Sequence, residues 1–283
     1  MTAAVQPITP ELRRWIVEQA EIGRPSEDIL QAMRDSGWHE DVARAALAET
    51  LRASPAAATS PVSMSTSGVP EPLADGVSSV VADGHTVKVL MTLRHPRVVV
   101  FGGLLTPSEC EALIEEAQSR LERSETVHQA TGGSEVNVAR TSDGMFFKRG
   151  ESELIARIER RIEALVRWPV NHGEGLQVLR YRPGAQYQAH FDYFDPTQPG
   201  TARILERGGQ RVGTLVMYLR EPQGGGATIF PDIGLEVAPV QGQAVFFSYD
   251  RPHPSTGSLH GGAPVLAGEK WVATKWLRQG VFE

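Results

Sequence analysis

The stretch QYQAHFDYFDP, residues 186 to 196, sets His190 and Asp192 two apart in a run of aromatics that ends at Pro196. On a β-strand, residues i and i+2 project from the same face, so one strand can offer an imidazole and a carboxylate to a single metal ion. The stretch lies in a series of short apolar segments punctuated by Gly and Pro. They fall at about residues 175–182, 186–191, 212–220, 227–230, 235–238, 243–249 and 270–277, and each predicts a strand.

Upstream, HPRVVVFGGLL (95–105) predicts a further strand. Thr106-Pro-Ser-Glu109 has the pattern of a capping box and opens a helix with Leu113, Ile114, Ala117 and Leu121 on its buried face. A second helix is predicted around 151–167, with Leu154, Ile155, Ile158, Ile162 and Leu165 at helical spacing. Two helices followed by seven or more closely spaced strands predict a mainly β barrel or sandwich backed by helices.

The N-terminal part differs. Thr9 caps a helix with Pro10 at its first position, a second helix runs from Ser26 to a stop at Gly37, and a third from about His39 to Leu51. Residues 1–52 therefore read as a small three-helix bundle, loosely similar to ubiquitin-associated modules, with a docking role toward a protein partner as its expected use. Residues 53–84, rich in Ser, Ala, Pro and Gly, read as a flexible linker. Residues 85–283 form the main domain.

Composition narrows the function. With 283 residues, 41% hydrophobic and 22% charged, the chain can bury a substantial core. A formal charge of −6 gives no basic field for nucleic acid. The single cysteine, Cys110, excludes an intramolecular disulfide and a Cys-based zinc cluster. No basic n-region precedes an apolar run at the start, and no apolar run approaches the ~20 residues of a membrane span, so a cytoplasmic protein without membrane contact is expected.

A facial metal site needs a third ligand. GSLHGGAPVLAGEKWVATKW (257–276) offers His260, while His253, between two prolines in a loop, is its main rival. Two imidazoles and one carboxylate leave open positions on the metal, the donor set of non-haem Fe(II) oxygenases. Zinc fits less well because its structural sites are closed by four ligands. Ten residues past His260, Lys270 opens the strand KWVATKW, where Lys270, Val272, Thr274 and Trp276 share one face. A lysine facing the interior of a barrel needs an anionic partner. The glycine run QGGGATIFPD (223–232) lacks the Lys-Ser/Thr of a phosphate loop and reads as a turn. The glycines of His260-Gly-Gly allow close backbone approach at the mouth of the site.

Together, LQVLRYRPGAQYQAHFDYFDP (176–196), GGQRVGTLVMYLREPQGGGATIFPD (208–232) and SLHGGAPVLAGEKWVATKWLR (258–278) resemble the catalytic domain of the prolyl 4-hydroxylase family of Fe(II)/2-oxoglutarate dioxygenases. The resemblance covers roughly residues 95–280 and implies a double-stranded β-helix, or jelly-roll. It implies His190, Asp192 and His260 as iron ligands and Lys270 as the anchor of the distal carboxylate of 2-oxoglutarate, with Tyr181 and Thr214 also holding that cosubstrate. Arg140, Ser142, Arg211 and Trp276 match positions that line the peptide groove of family members.

The reaction implied consumes dioxygen and 2-oxoglutarate, releases succinate and carbon dioxide, and hydroxylates a carbon of the substrate, with ascorbate supporting activity. Asp192 stands where related halogenases carry a small residue, which argues against halogenation. The expected substrate is a prolyl residue of a protein or peptide. The alternatives are the same chemistry on a free amino acid or a natural-product peptide, and a catalytically idle barrel that binds or senses.

Overall fold

The computed structural model describes residues 8–21, 26–53, 68–128, 133–136 and 140–283. The chain divides into two units, Met1–Pro61 and Val62–Glu283, which are taken separately. In the first, helices Pro10–Glu21, Ser26–Asp35 and Glu40–Ala53 close around Ile16, Ile29, Leu30, Met33, Ala43, Ala46 and Leu47, with Trp15 and Trp38 packed against them. Leu12 N donates to Thr9 Oγ1 at 3.3 Å, and Gly37 takes a φ of 89° where the second helix stops. The three helices read from the sequence are thus present.

The second unit is layered. Its large antiparallel sheet has nine strands in the order Ser79–Ala82, His85–Leu93, Arg97–Gly102, Ala244–Ser248, Arg211–Arg220, Lys270–Arg278, Leu176–Tyr181, Asp143–Phe147 and Glu122–Arg123. A smaller sheet runs Leu235–Val237, Thr228–Phe230, His260–Gly262 and Tyr187–His190. The two enclose Tyr181, Tyr218, Phe230, Phe247 and Val272 in one core. Helices Pro107–Gln118 and Glu153–Val166 cover the other face of the large sheet. This is the double-stranded β-helix, with its supporting helices.

Strand alternation explains the layering. In Lys270–Arg278 every residue is buried, as expected for a central strand covered on both faces. Trp271, Ala273 and Leu277 enter the core under the helices, while Lys270, Val272, Thr274 and Trp276 line a cavity between the sheets. Leu215, Met217 and Leu219 alternate in the same way with Thr214, Val216 and Tyr218 on Arg211–Arg220. Each fully buried Val, Leu or Phe contributes about 1.5–3 kcal/mol through burial.

The helices carry the expected caps. Thr106 Oγ1 accepts from Glu109 N and the Glu109 carboxylate accepts from Thr106 N, completing the capping box. That carboxylate also takes both terminal nitrogens of Arg161, at 2.8 and 2.9 Å, which ties the two helices together.

The linker expectation requires correction. Residues 54–67 lie outside the described residues, but the segment from 68 onward belongs to the second unit. Ala74 and Ala82 are buried in its main core, Val69 and Val80 pack against it, and Ser79–Ala82 pairs with His85–Leu93. Glu71 N donates to Val166 O at 3.0 Å, and its carboxylate pairs with Arg97. A polar, Pro-rich segment docks when a few small apolar residues fit the surface and an edge strand accepts its backbone.

Candidate active site

His190 ends one strand of the small sheet and His260 begins its neighbour, and the two are direct register partners. Their rings lie 4.4 Å apart. Asp192 sits two residues beyond the strand end rather than on it, yet its carboxylate turns back between the imidazoles. Oδ1 is 3.4 Å from His190 Nε2 and Oδ2 is 3.5 Å from His260 Nε2. One ligand atom from each of the three residues falls within 4.8 Å of the others. Gly261 permits this approach, because a Cβ there would meet Tyr187 O at 2.9 Å and Ala189 N at 3.1 Å. His253, the rival ligand, is exposed and bonded to Ser255, outside the cluster.

The second nitrogens fix the tautomers. His190 Nδ1 donates to Gln188 O at 2.9 Å and His260 Nδ1 to Ser258 O at 3.0 Å, since a carbonyl can only accept. In the neutral imidazoles each Nε2 then turns a lone pair toward a carboxylate that also only accepts when ionised. Burial pushes His260 down to about 4, so the ring is neutral and able to coordinate. Burial opposes ionisation of Asp192, but positive charge at His260, His190 and Arg211 outweighs it and holds the carboxyl well below its usual range; with the imidazoles neutral, a bound cation would take the place of that charge. Three converging acceptors with no donor among them fit a divalent cation, and two imidazoles with one carboxylate fit Fe(II).

Lys270 lies across the same cavity, in register with Tyr181. It is 4% exposed, and among the described residues no carboxylate pairs with it. Its ammonium lies 5.5 Å from the Tyr181 ring centroid and 5.9 Å from that of Tyr218. Burial alone pushes its pKa down to about 8. A buried cation facing a cavity without a counterion is prepared for an anion from outside. Tyr181 also lines that cavity.

Thr214 reaches the cavity too, but its hydroxyl donates to Asp192 Oδ2 at 2.7 Å and lies 3.1 Å from the hydroxyl of Tyr249. Its hydrogen is committed to a metal ligand, so toward the cosubstrate expected there Thr214 could offer only an oxygen lone pair.

Of the four groove expectations, Arg140 and Trp276 line the cavity. Arg140 bonds Gln177 Oε1 at 2.8 Å and stacks over Tyr187, which in turn stacks on His190 at 3.7 Å. The indole N–H of Trp276 is buried and has no partner among the described residues. Ser142 is fully buried, bonded to Ser124 at 2.9 Å and absent from the cavity wall, so it supports the fold rather than the groove. Arg211 is held by both oxygens of Glu174, sits over the Trp276 ring at 4.1 Å and is not among the residues lining the cavity, so it braces that indole rather than lining the groove. Sequence reading missed Tyr187, Gln177, Glu174 and Tyr249. Tyr187 stands three residues from His190, where strict alternation puts it on the opposite face, and the register shift in this strand pair brings it round.

A jelly-roll with two imidazoles and a carboxylate beside a buried lysine defines the Fe(II)- and 2-oxoglutarate-dependent dioxygenases. Residues 176–278 match the family model of the 2OG-Fe(II) oxygenase superfamily. The chain is 40% identical over 210 residues to prolyl 4-hydroxylase 5 of Arabidopsis thaliana, covering 66% of this chain and 70% of that one. It is 42% identical over 201 residues to prolyl 4-hydroxylase 1 of the same plant, covering 65% and 69%. The crystal structure of the viral collagen prolyl hydroxylase from Paramecium bursaria Chlorella virus-1, as its 2OG complex, matches with a TM-score of 0.50 and 28% identity over 64% of this chain and 94% of that one. The chain belongs to the prolyl 4-hydroxylase family. It is an enzyme that uses Fe(II), 2-oxoglutarate and dioxygen. No helix among the described residues is long and apolar enough to cross a membrane.

Proposed function

We propose that this enzyme hydroxylates a prolyl residue of a protein or peptide, converting 2-oxoglutarate to succinate and carbon dioxide. The observation that carries the reading is the placement of Lys270. A buried ammonium without a carboxylate partner opens on the same cavity as the His190, Asp192 and His260 cluster. In this reading His190, Asp192 and His260 would hold Fe(II), which would supply the chemistry of dioxygen and the keto acid. Lys270 pairs with the distal carboxylate of 2-oxoglutarate and so fixes which end of that molecule faces the metal. The Tyr181 hydroxyl assists at the same carboxylate.

Trp276 and Arg140 form the substrate side of the cavity. The indole N–H of Trp276 has no partner among the described residues and is available to a peptide carbonyl. The stack of Arg140 on Tyr187 on His190 holds the first ligand's ring while placing a guanidinium at the wall. The relatives named prolyl hydroxylases support the choice of proline. The N-terminal bundle, with its own core, serves in this reading as a docking module for a protein partner, and the single cysteine fits a cytoplasmic location.

The test is succinate release by the purified chain with Fe(II), 2-oxoglutarate and ascorbate, compared across proline-rich peptides, free proline and no substrate. Stimulation by peptides alone supports the reading. Stimulation by free proline alone moves the substrate to the amino acid, and no turnover in any arm leaves the barrel idle.

A further inference from the structure

The oxygenase unit holds a second cavity, of about 340 Å³, with an unusual concentration of positive charge. Arg203, Arg207, Arg211 and Arg278 line it, against one carboxylate, Glu174. Glu174 is already engaged, because its oxygens accept from Arg211 Nε and Nη2 at 2.7 and 2.9 Å, and Arg278 Nε lies 3.6 Å from one of them. Arg278 is 2% exposed; its Nη2 donates to the carbonyls of Ile204 and Arg207, and its Nη1 has no hydrogen-bond partner. Arg207 Nε donates to the main-chain oxygen of Glu283 at 2.5 Å. Arg203 is exposed and makes no hydrogen bond or ion pair among the described residues. Even with Arg207 matched by the Glu283 oxygen, one engaged carboxylate among the other three guanidiniums leaves a net positive cavity, and a buried N–H without an acceptor is a standing cost that an anion relieves.

The location gives this charge a use. Arg211 lies between two rings, 4.1 Å from the Trp276 centroid and 4.8 Å from that of Phe194. Trp276 lines the metal cavity, and Phe194 and Arg211 the arginine cavity, so the contact of Arg211 with the Trp276 ring is where the two cavities adjoin. The two rings are within about 9 Å, the span of two to three residues of extended chain. We propose that the arginine cavity is an anion subsite that receives the carboxylate of an acidic side chain two or three residues from the proline presented to the iron. The inference rests on the polypeptide substrate proposed above.

The test uses the full chain with Fe(II) and 2-oxoglutarate. Matched proline peptides carry Glu or Gln two or three residues to either side of the proline. One Glu peptide is expected to have a KM about tenfold below its Gln counterpart at unchanged kcat, the worth of one charged hydrogen bond. Arg203→Glu should erase that difference and leave the Gln peptides unaffected. In parallel, inorganic phosphate is titrated calorimetrically into the anaerobic protein with Lys270 covered by saturating 2-oxoglutarate. One equivalent is expected in the wild type and none in the Arg203→Glu, Arg207→Glu variant. Hydroxylation of Glu and Gln peptides with equal KM overturns the acidic-residue subsite and leaves prolyl hydroxylation standing, and phosphate bound in that case identifies a free anion as the ligand. Hydroxylation of no peptide overturns the polypeptide reading and the subsite with it.

Discussion

The hydroxyl of Thr214 donates to Asp192 Oδ2 across 2.7 Å, and Tyr249 OH stands 3.1 Å behind it. With the Thr214 hydrogen spent on the carboxylate, Tyr249 is the donor to Thr214. The single carboxylate ligand is thus oriented by a chain of two hydroxyls on the large sheet. Thr214→Val keeps the shape and removes the donor. Fe(II) or Co(II) affinity should fall at least about tenfold, read by metal titration, while Thr214→Ser restores it.

Lys270→Ala should weaken 2-oxoglutarate binding steeply and leave metal binding in place, measured by calorimetry under anaerobic conditions. The pH dependence follows from its pKa of about 8 in the free protein. The dianionic cosubstrate requires the ammonium form. Affinity should be flat below about pH 8 and fall as pH rises above it, by up to about tenfold per pH unit until the pKa of the bound state is reached.

On the opposite face of the same strand, Lys275 Nζ pairs with Glu159 Oε1 at 2.5 Å, each side chain 2% exposed. Glu159 Oε2 accepts from Gly150 N at 2.9 Å. Lys275→Met strands a buried carboxylate and should destabilise the domain by about 3–5 kcal/mol in denaturant unfolding. Replacing Glu159 by Leu as well should recover part of that loss.

Gly261→Ala tests the close approach of the two ligand strands. Its added methyl would press on the backbone of Tyr187 and Ala189. Forcing these strands apart separates His190 from His260, so metal affinity should fall at least about tenfold while far-UV circular dichroism keeps the β signature.

The sequence carries much of this architecture because alternation is a local rule. Lys270, Val272, Thr274 and Trp276 do face one cavity, and the box at Thr106 does cap its helix. The His190–Asp192 spacing led to the right cluster although Asp192 lies in a bend past the strand end, where its carboxylate returns to both imidazoles. What stayed hidden depends on pairings remote in the chain. Glu174 takes Arg211 from 37 residues away, and Ser142 finds Ser124 across a strand edge. Nothing in the composition of residues 68–84 distinguishes a free linker from a docked one, because Val69, Ala74 and Val80 gain their meaning only from the surface they meet.

The most direct test of the central claim is the fate of labelled dioxygen. The purified chain, loaded with Fe(II) and 2-oxoglutarate, is given a proline-rich peptide under labelled O₂, and peptide and succinate are analysed by mass spectrometry. The account predicts one labelled oxygen on a proline of the peptide and the other in succinate, both lost in His190→Ala. Labelled succinate with an unmodified peptide would contradict prolyl hydroxylation, and unlabelled succinate would contradict the dioxygenase chemistry itself.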